Sequence, residues 1–536
     1  MPYRLFLGVL LLVAGCDSSR RDSLDSAPPG RPGARGLELH RGNGPEPATL
    51  DPHRATGTPE YTILRDMYEG LFGEGPDARL VPGVAERFEI SPDSLRYTFE
   101  LRKDARWSDC TEVTAGDFVD ALRRAVDPAT ASPNAYLLEP VRSAAAIIAG
   151  AAPADTLAVS AIGSHRLVIE LTEPAGHFPA VLAHAVSYPY RGADGPSNGP
   201  YRLAERRLQE YVLLERNSCY WGREEVGIDY VYFHAVQDIT TELNMYRAGQ
   251  LDMTSEIPNT AFEWIQRELP DQLHVSPYLS TYGYTFTIDR PPFVGRPDLR
   301  QAVSMAIDRE ALVVHVTGVG ERAAWGWVPP GTAGHDGQAY EWAEWSAEER
   351  IAEARRLFAG AAAENSAAAR IKVRYDAGQN HERMALALAS MWRDTLGIEV
   401  ELIPQEWKVY LSERGNREPG GLTRLGWSGD YNDPQSFLDI FASDHPQNVT
   451  GFADSEYDAL IRAAAREGDS VQRRSLFAQA ERRLLDAYVV MPLYFNVSKH
   501  LVRPYILGFT PNIANHIQTR YLQLRMPDTQ SSTDIE

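Results

Sequence analysis

Hydrophobic and polar residues recur with two different periods along this chain. Residues 95–102 (LRYTFELR) and 165–173 (HRLVIELTE) alternate with a period of two, which predicts half-buried strands. Residues 114–126 (TAGDFVDALRRAV) instead place apolar side chains three or four positions apart. Thr114, with Asp117 three residues later, forms a capping box at the start of this segment. The segment is therefore predicted to be an amphipathic helix.

The same alternation of strand and helix patterns continues to the C-terminal end. Residues 298–316 and 381–397 have helical periodicity, and the second of these segments ends at Gly397. Ser346 and Glu349 form a capping box ahead of another helix, and residues 399–407 (EVELIPQEW) follow as a strand. The pattern predicts a mixed α/β architecture without internal repeats. At 536 residues the chain is too long for one core, so we expect two or three domains.

The N-terminus has the pattern of an export signal. A short basic start is followed by an apolar stretch at 5–15, which is too short to span a bilayer. The stretch ends in Leu-Val-Ala-Gly-Cys, which resembles a bacterial lipobox in which Cys16 is lipidated and becomes the first mature residue. The alternative is an ordinary signal peptide with a chance cysteine. Asp17 resembles an inner-membrane retention signal. We therefore expect a periplasmic protein tethered through residues 16–37, a Ser-, Pro-, Gly- and charge-rich linker.

Composition narrows the possible partners. Hydrophobic residues make up 43% and charged residues 24% of the chain, which is ordinary for a globular protein. The net charge of −20 argues against nucleic acid or an anionic membrane surface as a partner, so we expect membrane contact through the lipid anchor alone. Apart from the lipobox cysteine, Cys110 and Cys219 remain. They could form one disulfide, but the sequence does not decide this.

The sequence lacks complete versions of several common enzyme and cofactor-binding motifs. The chain has no G-x-S-x-G and no P-loop, and the HE at 381–382 lacks the second His of a zinc motif because position 385 is Ala. Gly318 and Gly320 follow a helical pattern rather than a strand, which disfavours a dinucleotide site. We expect no enzymatic activity, no cofactor and no metal.

Several segments in a shared order resemble the oligopeptide- and dipeptide-binding proteins of bacterial ABC importers, which are solute-binding proteins of family 5. The resemblance extends over residues 38–525 and is carried by the segments 50–71, 84–133, 197–222, 241–253, 291–310, 396–414 and 424–437. Two stretches, QEWKVYLSER (405–414) and RLGWSGDYNDP (424–434), are most similar to the oligopeptide-binding branch.

The resemblance implies a periplasmic-binding-protein-like fold with two lobes, a hinge and an extra domain in the first lobe. Lobe I is expected at 38–68, 190–278 and 498–536, the extra domain at 69–189 and lobe II at 279–497. The two chain crossings near 278 and 497 would form the hinge.

The resemblance also implies a set of ligand-binding residues. Asp430 matches the family aspartate that pairs with the α-ammonium of a peptide, and the strand near Gly426 would add the peptide main chain to its edge. Arg424 and Arg414 match arginines that receive the ligand carboxylate, and His381 lies near that end. The remaining candidates are Trp427 and Trp407 as pocket walls, and Ser428, Thr56, Thr58, Asn134 and Asn496 around the N-terminal subsite.

Some positions depart from the family pattern. Asn134 and Asn496 stand where the oligopeptide-binding branch often has Tyr, and Thr56 stands where it often has Glu. Ser280 and Ser428 replace a disulfide pair that some relatives carry. These changes concern the N-terminal subsite and the preferred peptide length, and they leave Asp430 in place.

The sequence thus favours a monomeric, lipid-anchored receptor that delivers peptides to the permease and ATPase subunits of an ABC importer. The first alternative is a receptor of the same fold for another solute, such as a cell-wall peptide, an oligosaccharide or a metal chelate. A carboxylate among aromatic residues favours a ligand with a free amine, which a neutral oligosaccharide lacks. The second alternative is a receptor that senses peptides without delivering them.

Overall fold

The computed structural model describes residues 32–33, 36–364, 366–377, 379–445 and 447–525. The signal segment, Cys16 and most of the tether therefore lie outside the described residues. The strands, in chain order, are β1 Pro32–Gly33, β2 Gly36–Gly42, β3 Phe72–Glu74, β4 Leu80–Pro82, β5 Ala85–Ile90, β6 Arg96–Leu101, β7 Val159–Ile162, β8 Arg166–Glu170, β9 Tyr201–Arg207, β10 Tyr211–Arg216, β11 Tyr230–His234, β12 Leu273–Phe286, β13 Arg322–Ala323, β14 Arg370–Asp376, β15 Glu399–Gln405, β16 Gly421–Ser428, β17 Val490–Leu501, β18 Ile506–Leu507 and β19 Gln523–Leu524.

Helices lie between these strands throughout the described chain, as the alternating periods predict. The α-helices, in chain order, are α1 Thr58–Met67, α2 Ala115–Val126, α3 Ala144–Ile148, α4 Phe178–Val181, α5 Ile239–Arg247, α6 Phe262–Glu268, α7 Pro297–Met305, α8 Arg309–Leu312, α9 Ala347–Glu364, α10 Gln379–Leu396, α11 Trp407–Glu413, α12 Gln435–Leu438, α13 Ser455–Arg466 and α14 Ser470–Asp486.

Two sheets define the two lobes. The sheet of lobe I has the order β1-β2-β11-β10-β9, and β2 runs parallel to β11. The sheet of lobe II has the order β13-β17-β12-β16-β14-β15 and combines antiparallel and parallel pairs. Its two longest strands, β12 and β17, extend beyond lobe II, and a bridge between Met253 and Val502 links the end of β17 to lobe I.

The strands β12 and β17 pair with each other along almost their whole length, from Leu273 opposite Leu501 to Thr285 opposite Val490. The pairing is interrupted between Pro277 and Thr281. This interruption falls at the positions where the sequence predicts the chain to cross between lobes. A break in a ladder locally frees the main chain from its partner strand, so it is a suitable place for a bend.

A third sheet, of order β5-β6-β8-β7, lies within the segment expected to form the extra domain. Its buried face shares one continuous hydrophobic core with lobe I: Phe99 and Trp107 belong to the same cluster as Leu39, Val231 and Phe233. Lobe II has separate clusters. Because apolar cores resist separation, the extra domain is coupled to lobe I far more strongly than to lobe II.

The local signals in the sequence correctly locate the starts of α2 and α9 and the end of α10. The amide of Thr114 donates to Asp117 Oδ2 at 2.8 Å, which closes the first turn of α2. Ser346 and Glu349 exchange hydrogen bonds at the start of α9, with Ser346 N to Glu349 Oε2 at 3.0 Å. At the end of α10, Gly397 has a φ of +71°, a conformation that glycine adopts without strain.

The prediction of one helix over 298–316 is wrong. The structure has α7, a break at 306–308, and then α8 followed by a π-helical turn at Val313–Thr317. Asp308 caps the new helix by accepting from Ala311 N at 3.0 Å. The buried Arg309 donates to the Ser304 carbonyl at 3.0 Å and to the Pro492 carbonyl at 2.8 Å. Periodicity does not distinguish a continuous helix from two helices joined at such a tertiary anchor.

Cys110 and Cys219 form a disulfide with a Cα–Cα distance of 5.3 Å. Cys110 follows the third sheet's strand β6, and Cys219 follows strand β10 of lobe I. The bond thus closes a loop with a sequence separation of 109 and adds a covalent link between the extra domain and lobe I.

Removal of this disulfide is expected to destabilise the protein. A loop of this size restricts the unfolded chain strongly, so the Cys110→Ser/Cys219→Ser double variant should lose about 2–4 kcal/mol of unfolding free energy. Urea unfolding followed by circular dichroism measures this loss. Dithiothreitol should shift the wild-type midpoint and leave that of the double variant unchanged. Equal midpoints for wild type and variant under oxidising conditions would contradict the expectation.

Candidate functional site

Strand β16 has one edge that is paired along only part of its length. On one side, β12 pairs with β16 up to Ser428. On the other side, β14 pairs with Gly421, Leu422 and Thr423 alone. Among the described residues, the main chain from 424 to 428 therefore has no strand beside it on that edge.

The hydrogen-bond pattern shows which residues face this edge. The Gly420 carbonyl accepts from Lys372 N of β14 at 2.8 Å, and the Gly421 carbonyl accepts from Thr287 N on the β12 side at 3.0 Å. Main-chain groups alternate between the two edges of a strand, so the even-numbered residues 424, 426 and 428 face the open edge. The Arg424 carbonyl already accepts a hydrogen bond from the Tyr410 hydroxyl.

Gly426 is the exposed centre of this open edge. A Cβ atom at this position would lie 2.8 Å from Nη1 of Arg424. The missing side chain thus leaves room for the Arg424 guanidinium and gives a ligand main chain close access to the strand.

Asp430 lies just beyond the end of β16 and is held by its main chain. Its amide donates to Ser436 Oγ at 2.9 Å, and its Oδ2 accepts from the Tyr136 hydroxyl of the extra domain at 3.1 Å. No ion pair to Asp430 occurs in the described residues. Burial raises the pKa of Asp430 to about 6, while the hydrogen bond from Tyr136 acts in the opposite direction. The site thus holds a partly desolvated carboxylate without a cation.

Asp430 lines a cavity of about 250 Å³ between the lobes. Lobe I and the extra domain contribute one wall, and lobe II contributes the other. The lining residues are Thr56, Thr58, Tyr61, Thr62, Arg65, His184, Tyr278, Ser428, Gly429, Asp430, Ala514, Asn515, His516, Ile517 and Gln518.

The wall opposite Asp430 contains Arg65, whose positive charge is already compensated by Glu74. Arg65 donates to His516 Nε2 at 2.7 Å, and its Nε lies 3.6 Å from Glu74 Oε2. His516 Nδ1 is 2.6 Å from the same carboxylate oxygen of Glu74. Burial alone would raise the pKa of Glu74, but His516 and Arg65 lower it to about 2. The nearby His184 is neutral, because burial lowers its pKa to about 3.

A second charged cluster lies at the other end of the open edge. Arg424 Nε is 2.5 Å from Asp376 Oδ1, and the guanidinium lies over the rings of Tyr282 and Tyr410. His381 stacks on Tyr282 and lies 3.5 Å from Asp376 Oδ2. Burial lowers the pKa of His381 to about 4, and Arg424 adds to this effect. The sequence analysis did not identify Asp376, whose carboxylate compensates the charge of Arg424.

The other aromatic and basic candidates have internal partners. Arg414 is partly buried and donates to the Gln447 side chain. Trp427 is partly buried, and its indole N–H donates to the Ser436 carbonyl at 2.6 Å. The side chain of Trp407 lies outside the described part of the structure.

Of the remaining candidates, Thr56, Thr58 and Ser428 line the cavity with Asp430. Asn134 does not; its amide donates to the Ala55 carbonyl at 2.9 Å and to the Tyr61 hydroxyl at 2.8 Å. Asn134 therefore holds the loop before α1, whose residues form the cavity wall.

Asn496 donates to Ser280 Oγ at 2.8 Å, and Ser428 donates to the same oxygen at 3.1 Å. Ser280 and Ser428 are directly opposite each other in the ladder between β12 and β16. This position is consistent with the disulfide pair that the resemblance implies for some relatives, with a hydrogen bond in its place here.

Sequence reasoning missed Tyr136, Arg65, His184 and His516. The family resemblance implies a tyrosine at position 134, where this chain has Asn134. The absence of that tyrosine could have directed attention to Tyr136, two residues further along the chain. The cavity-lining residues from 514 to 518 gave no comparable signal, because they lie in an irregular segment far from α1 in sequence.

The described residues contain no group of three or more His, Cys, Asp or Glu side chains placed to hold a metal ion. Within the same ranges, no helix is both long and apolar enough to cross a membrane.

Two lobes with an intervening cavity, joined by two long strands, are the architecture of the periplasmic-binding-protein class. The chain matches the family of bacterial extracellular solute-binding proteins, family 5, over residues 79–448, and it belongs to that family. Members of this family bind solutes, so the chain is a binding protein and not an enzyme.

Three relatives illustrate the similarity. The chain is 36% identical over 488 residues to the periplasmic oligopeptide-binding protein OppA of Escherichia coli, covering 88% of this chain and 89% of OppA. It is 33% identical to the E. coli murein tripeptide-binding protein MppA, with a TM-score of 0.79, covering 91% of this chain and 98% of MppA. It is 31% identical to Haemophilus influenzae OppA in complex with RPPGFSPFR, with a TM-score of 0.77, covering 91% of this chain and 99% of that protein.

The raised pKa of Asp430 predicts that this carboxylate destabilises the ligand-free protein at neutral pH. The folded protein binds a proton on Asp430 up to about pH 6, whereas an unfolded aspartate releases it near 4. The contribution of Asp430 to the free energy of unfolding should therefore fall as pH rises from 4 to 6. Asp430→Asn should make the ligand-stripped protein about 1–2 kcal/mol more stable at pH 7.5 and have little effect at pH 4.

Urea unfolding at the two pH values measures this difference. Asp444→Asn, which changes an exposed carboxylate on the same lobe, is the control and should change neither value. An Asp430→Asn variant less stable than wild type at pH 7.5 would contradict the assignment of a desolvated, uncompensated charge.

Proposed function

We propose that this protein is a lipid-anchored receptor that captures oligopeptides in a closing interlobe cleft and delivers them to an ABC permease. The observation that carries the proposal is the placement of Asp430, a partly desolvated carboxylate without a cation, at the end of an open strand edge. The relatives support it: OppA and MppA of E. coli are peptide-binding proteins, and H. influenzae OppA is solved with a nonapeptide.

The charge of Asp430 is suited to the amino end of a free peptide. An ammonium group donates three hydrogen bonds and carries the charge that the carboxylate lacks in the ligand-free protein. Tyr136 from the extra domain already contacts Asp430, so an ammonium bound there is enclosed by both lobes when the cleft is closed. Enclosure strengthens the ion pair because fewer water molecules compete for the charge.

The open edge of β16 is suited to the peptide main chain. An extended peptide placed beside residues 424–428 continues the sheet, and main-chain hydrogen bonds do not depend on the peptide's sequence. The distal cluster of Arg424, Asp376 and His381, together with Arg414, is our candidate for the carboxylate end. A ligand carboxylate at Arg424 has to compete with Asp376, since these two side chains form an ion pair in the structure.

The connections between the lobes support a closing motion. We propose the domain bounds expected from the sequence, with lobe I at 38–68, 190–278 and 498–536, the extra domain at 69–189 and lobe II at 279–497. Rotation about the interruption in the ladder between β12 and β17 would open and close the cleft. The lipid anchor at Cys16 is supported by the lipobox and would keep the receptor near its permease.

Binding of a free amine is the most direct test. Ligand-stripped protein is titrated calorimetrically with tri- to pentapeptides and with the same peptides N-acetylated. Free peptides should bind, and acetylation should weaken binding between about tenfold and a hundredfold because the charged hydrogen bond is lost. Asp430→Asn should weaken the binding of the free peptides to a similar degree, and Asp444→Asn should leave their affinity unchanged. Equal binding of both peptide sets would refute the amine site, and binding of neither set would refute peptide capture.

The strand edge is tested at Gly426. Gly426→Pro removes the one main-chain donor that this residue offers at the open edge and leaves the ladder to β12 intact. Peptide affinity should fall about fivefold or more, as expected for one lost main-chain hydrogen bond. Gly426→Ala is the matched variant, because it retains the N–H group and adds the Cβ that crowds Arg424. If the Pro variant bound as tightly as the Ala variant, strand addition at this edge would be wrong.

A further inference from the structure

Both walls of the cavity that contains Asp430 are hydrogen-bonded to one residue of a hinge strand. Leu279 lies in the stretch of β12 where the ladder to β17 is interrupted. Its amide donates to the Ile513 carbonyl at 2.7 Å, and its carbonyl accepts from Gly429 N at 2.9 Å. Gly429 precedes Asp430 on lobe II, and Ile513 precedes the lobe I wall at 514–518. The interruption therefore leaves the main chain of Leu279 available to hold both walls.

The side chain of Leu279 restricts these contacts further. It is buried in a hydrophobic cluster of lobe II, and Ile513 from lobe I packs against the same cluster. A Cβ atom at Gly429 would lie 2.8 Å from Leu279 Cδ2 and 2.8 Å from Phe437 Cε2. Glycine at 429 thus lets the main chain pass close to Leu279 immediately before Asp430. The position of Asp430 is therefore fixed relative to the hinge.

A second hinge-strand residue, His500 of β17, holds the lobe I wall. It is 7% exposed, and in the described structure it does not line the cavity. Its Nδ1 lies 2.9 Å from the Thr254 carbonyl, which only accepts, so Nδ1 carries a proton. Its Nε2 lies 2.7 Å from the side-chain amide oxygen of Asn515, a residue of the cavity wall. One buried ring thus joins β17 to the wall.

The wall depends on such contacts because its own segment is irregular. The described structure has no helix or strand from 508 to 518. Asn515 has a φ of +56°, in the left-handed region that asparagine tolerates better than most residues. Asn512 Oδ1 accepts from His516 N at 3.1 Å, which closes a local turn. Since no ladder supports this segment, individual side-chain contacts set its position, and the loss of one contact lets the wall shift.

We propose that His500 is a positioning residue for peptide binding. Through Asn515 it holds the lobe I wall against β17, while Leu279 holds the start of the same wall and the strand end before Asp430. The hinge strands thus set the spacing of the two walls around the amino end of the peptide. This inference rests on the proposed function, because it requires that a peptide amine binds between these walls.

Two substitutions separate the two contacts of His500. The side-chain amide of asparagine reaches about as far as Nδ1, and that of glutamine about as far as Nε2. His500→Asn therefore retains the contact to Thr254 and loses the one to Asn515, whereas His500→Gln does the reverse. Each variant loses one hydrogen bond of a buried side chain. A purely structural role predicts similar effects of both substitutions on stability and on affinity.

The positioning role predicts different affinities for the two variants. Ligand-stripped protein is titrated calorimetrically with alanine peptides of three to five residues. His500→Asn should weaken binding about fivefold or more, and His500→Gln should restore the affinity to within about twofold of wild type. Adding His500→Asn to Asn515→Gly should have no further effect, because the contact is already absent. Glycine adopts the left-handed φ at 515 without strain.

His274→Asn is the matched control. His274 is directly opposite His500 in the ladder between β12 and β17, and in the described residues it has no hydrogen bond to the segment 512–518. This variant should bind the alanine peptides as tightly as wild type. Urea unfolding of all variants shows that each is folded and measures the loss of stability separately from the loss of affinity.

The outcomes separate this inference from the proposed function. If the peptides bind to wild type but His500→Asn and His500→Gln have equal affinities, the positioning role is wrong and peptide capture stands. An equal loss of affinity in His274→Asn would assign the effect to the ladder and would also refute the role of the contact to Asn515. If none of the alanine peptides binds to wild type, the proposed function and the inference fall together.

Discussion

The structure depends on two strands that belong to both lobes. β12 and β17 pair with each other almost end to end, so neither lobe can shift along the other without breaking a ladder of main-chain hydrogen bonds. We propose that the lobes rotate at the interruption between Pro277 and Thr281. The extra domain follows lobe I, because the two share a hydrophobic core and a disulfide. What the cleft encloses is therefore set by lobe II on one side and by lobe I with the extra domain on the other.

The distribution of charge around the cleft is asymmetric. Two cations in its walls have carboxylate partners: Arg424 pairs with Asp376, and Arg65 with Glu74. The acid Asp430 has no such partner in the described residues. Burial of a charge without a partner costs free energy, and the protein meets this cost in the absence of ligand. The ammonium group of the proposed peptide ligand would reduce this cost at Asp430, which links the desolvation of the empty site to the chemistry of the proposed ligand.

The departures from the family pattern at positions 134, 280 and 428 leave Asp430 unchanged. The tyrosine that the resemblance implies at 134 is absent, and Tyr136 from the same segment contacts Asp430 instead. Asn134 has a supporting role, since it fixes the loop before α1. Ser280 of β12 and Ser428 of β16 are joined by a hydrogen bond, where the resemblance implies a disulfide in some relatives. The N-terminal subsite that we propose therefore combines Asp430 with Tyr136 rather than with a tyrosine at position 134.

Much of the fold could be read from the sequence, because its signals are local. Alternation within β6 and β8, the capping boxes of α2 and α9, and Gly397 at the end of α10 each depend on residues a few positions apart. Asp430 was identified through the family resemblance, and its position among Trp427, Tyr431 and Phe437, which is unusual for a solvated loop, supported that choice.

Only the tertiary structure decided which groups meet. The Tyr136 hydroxyl reaches Asp430 across 294 positions, and Asp376 neutralises Arg424 from another strand. The break before Arg309 depends on the Pro492 carbonyl, far away in sequence. Local periodicity and capping set the conformation of each segment, whereas burial, pKa and charge compensation arise when the lobes bring distant segments together. The sequence therefore determined the elements and the central carboxylate, and the packing of the lobes determined which charges were left without a partner.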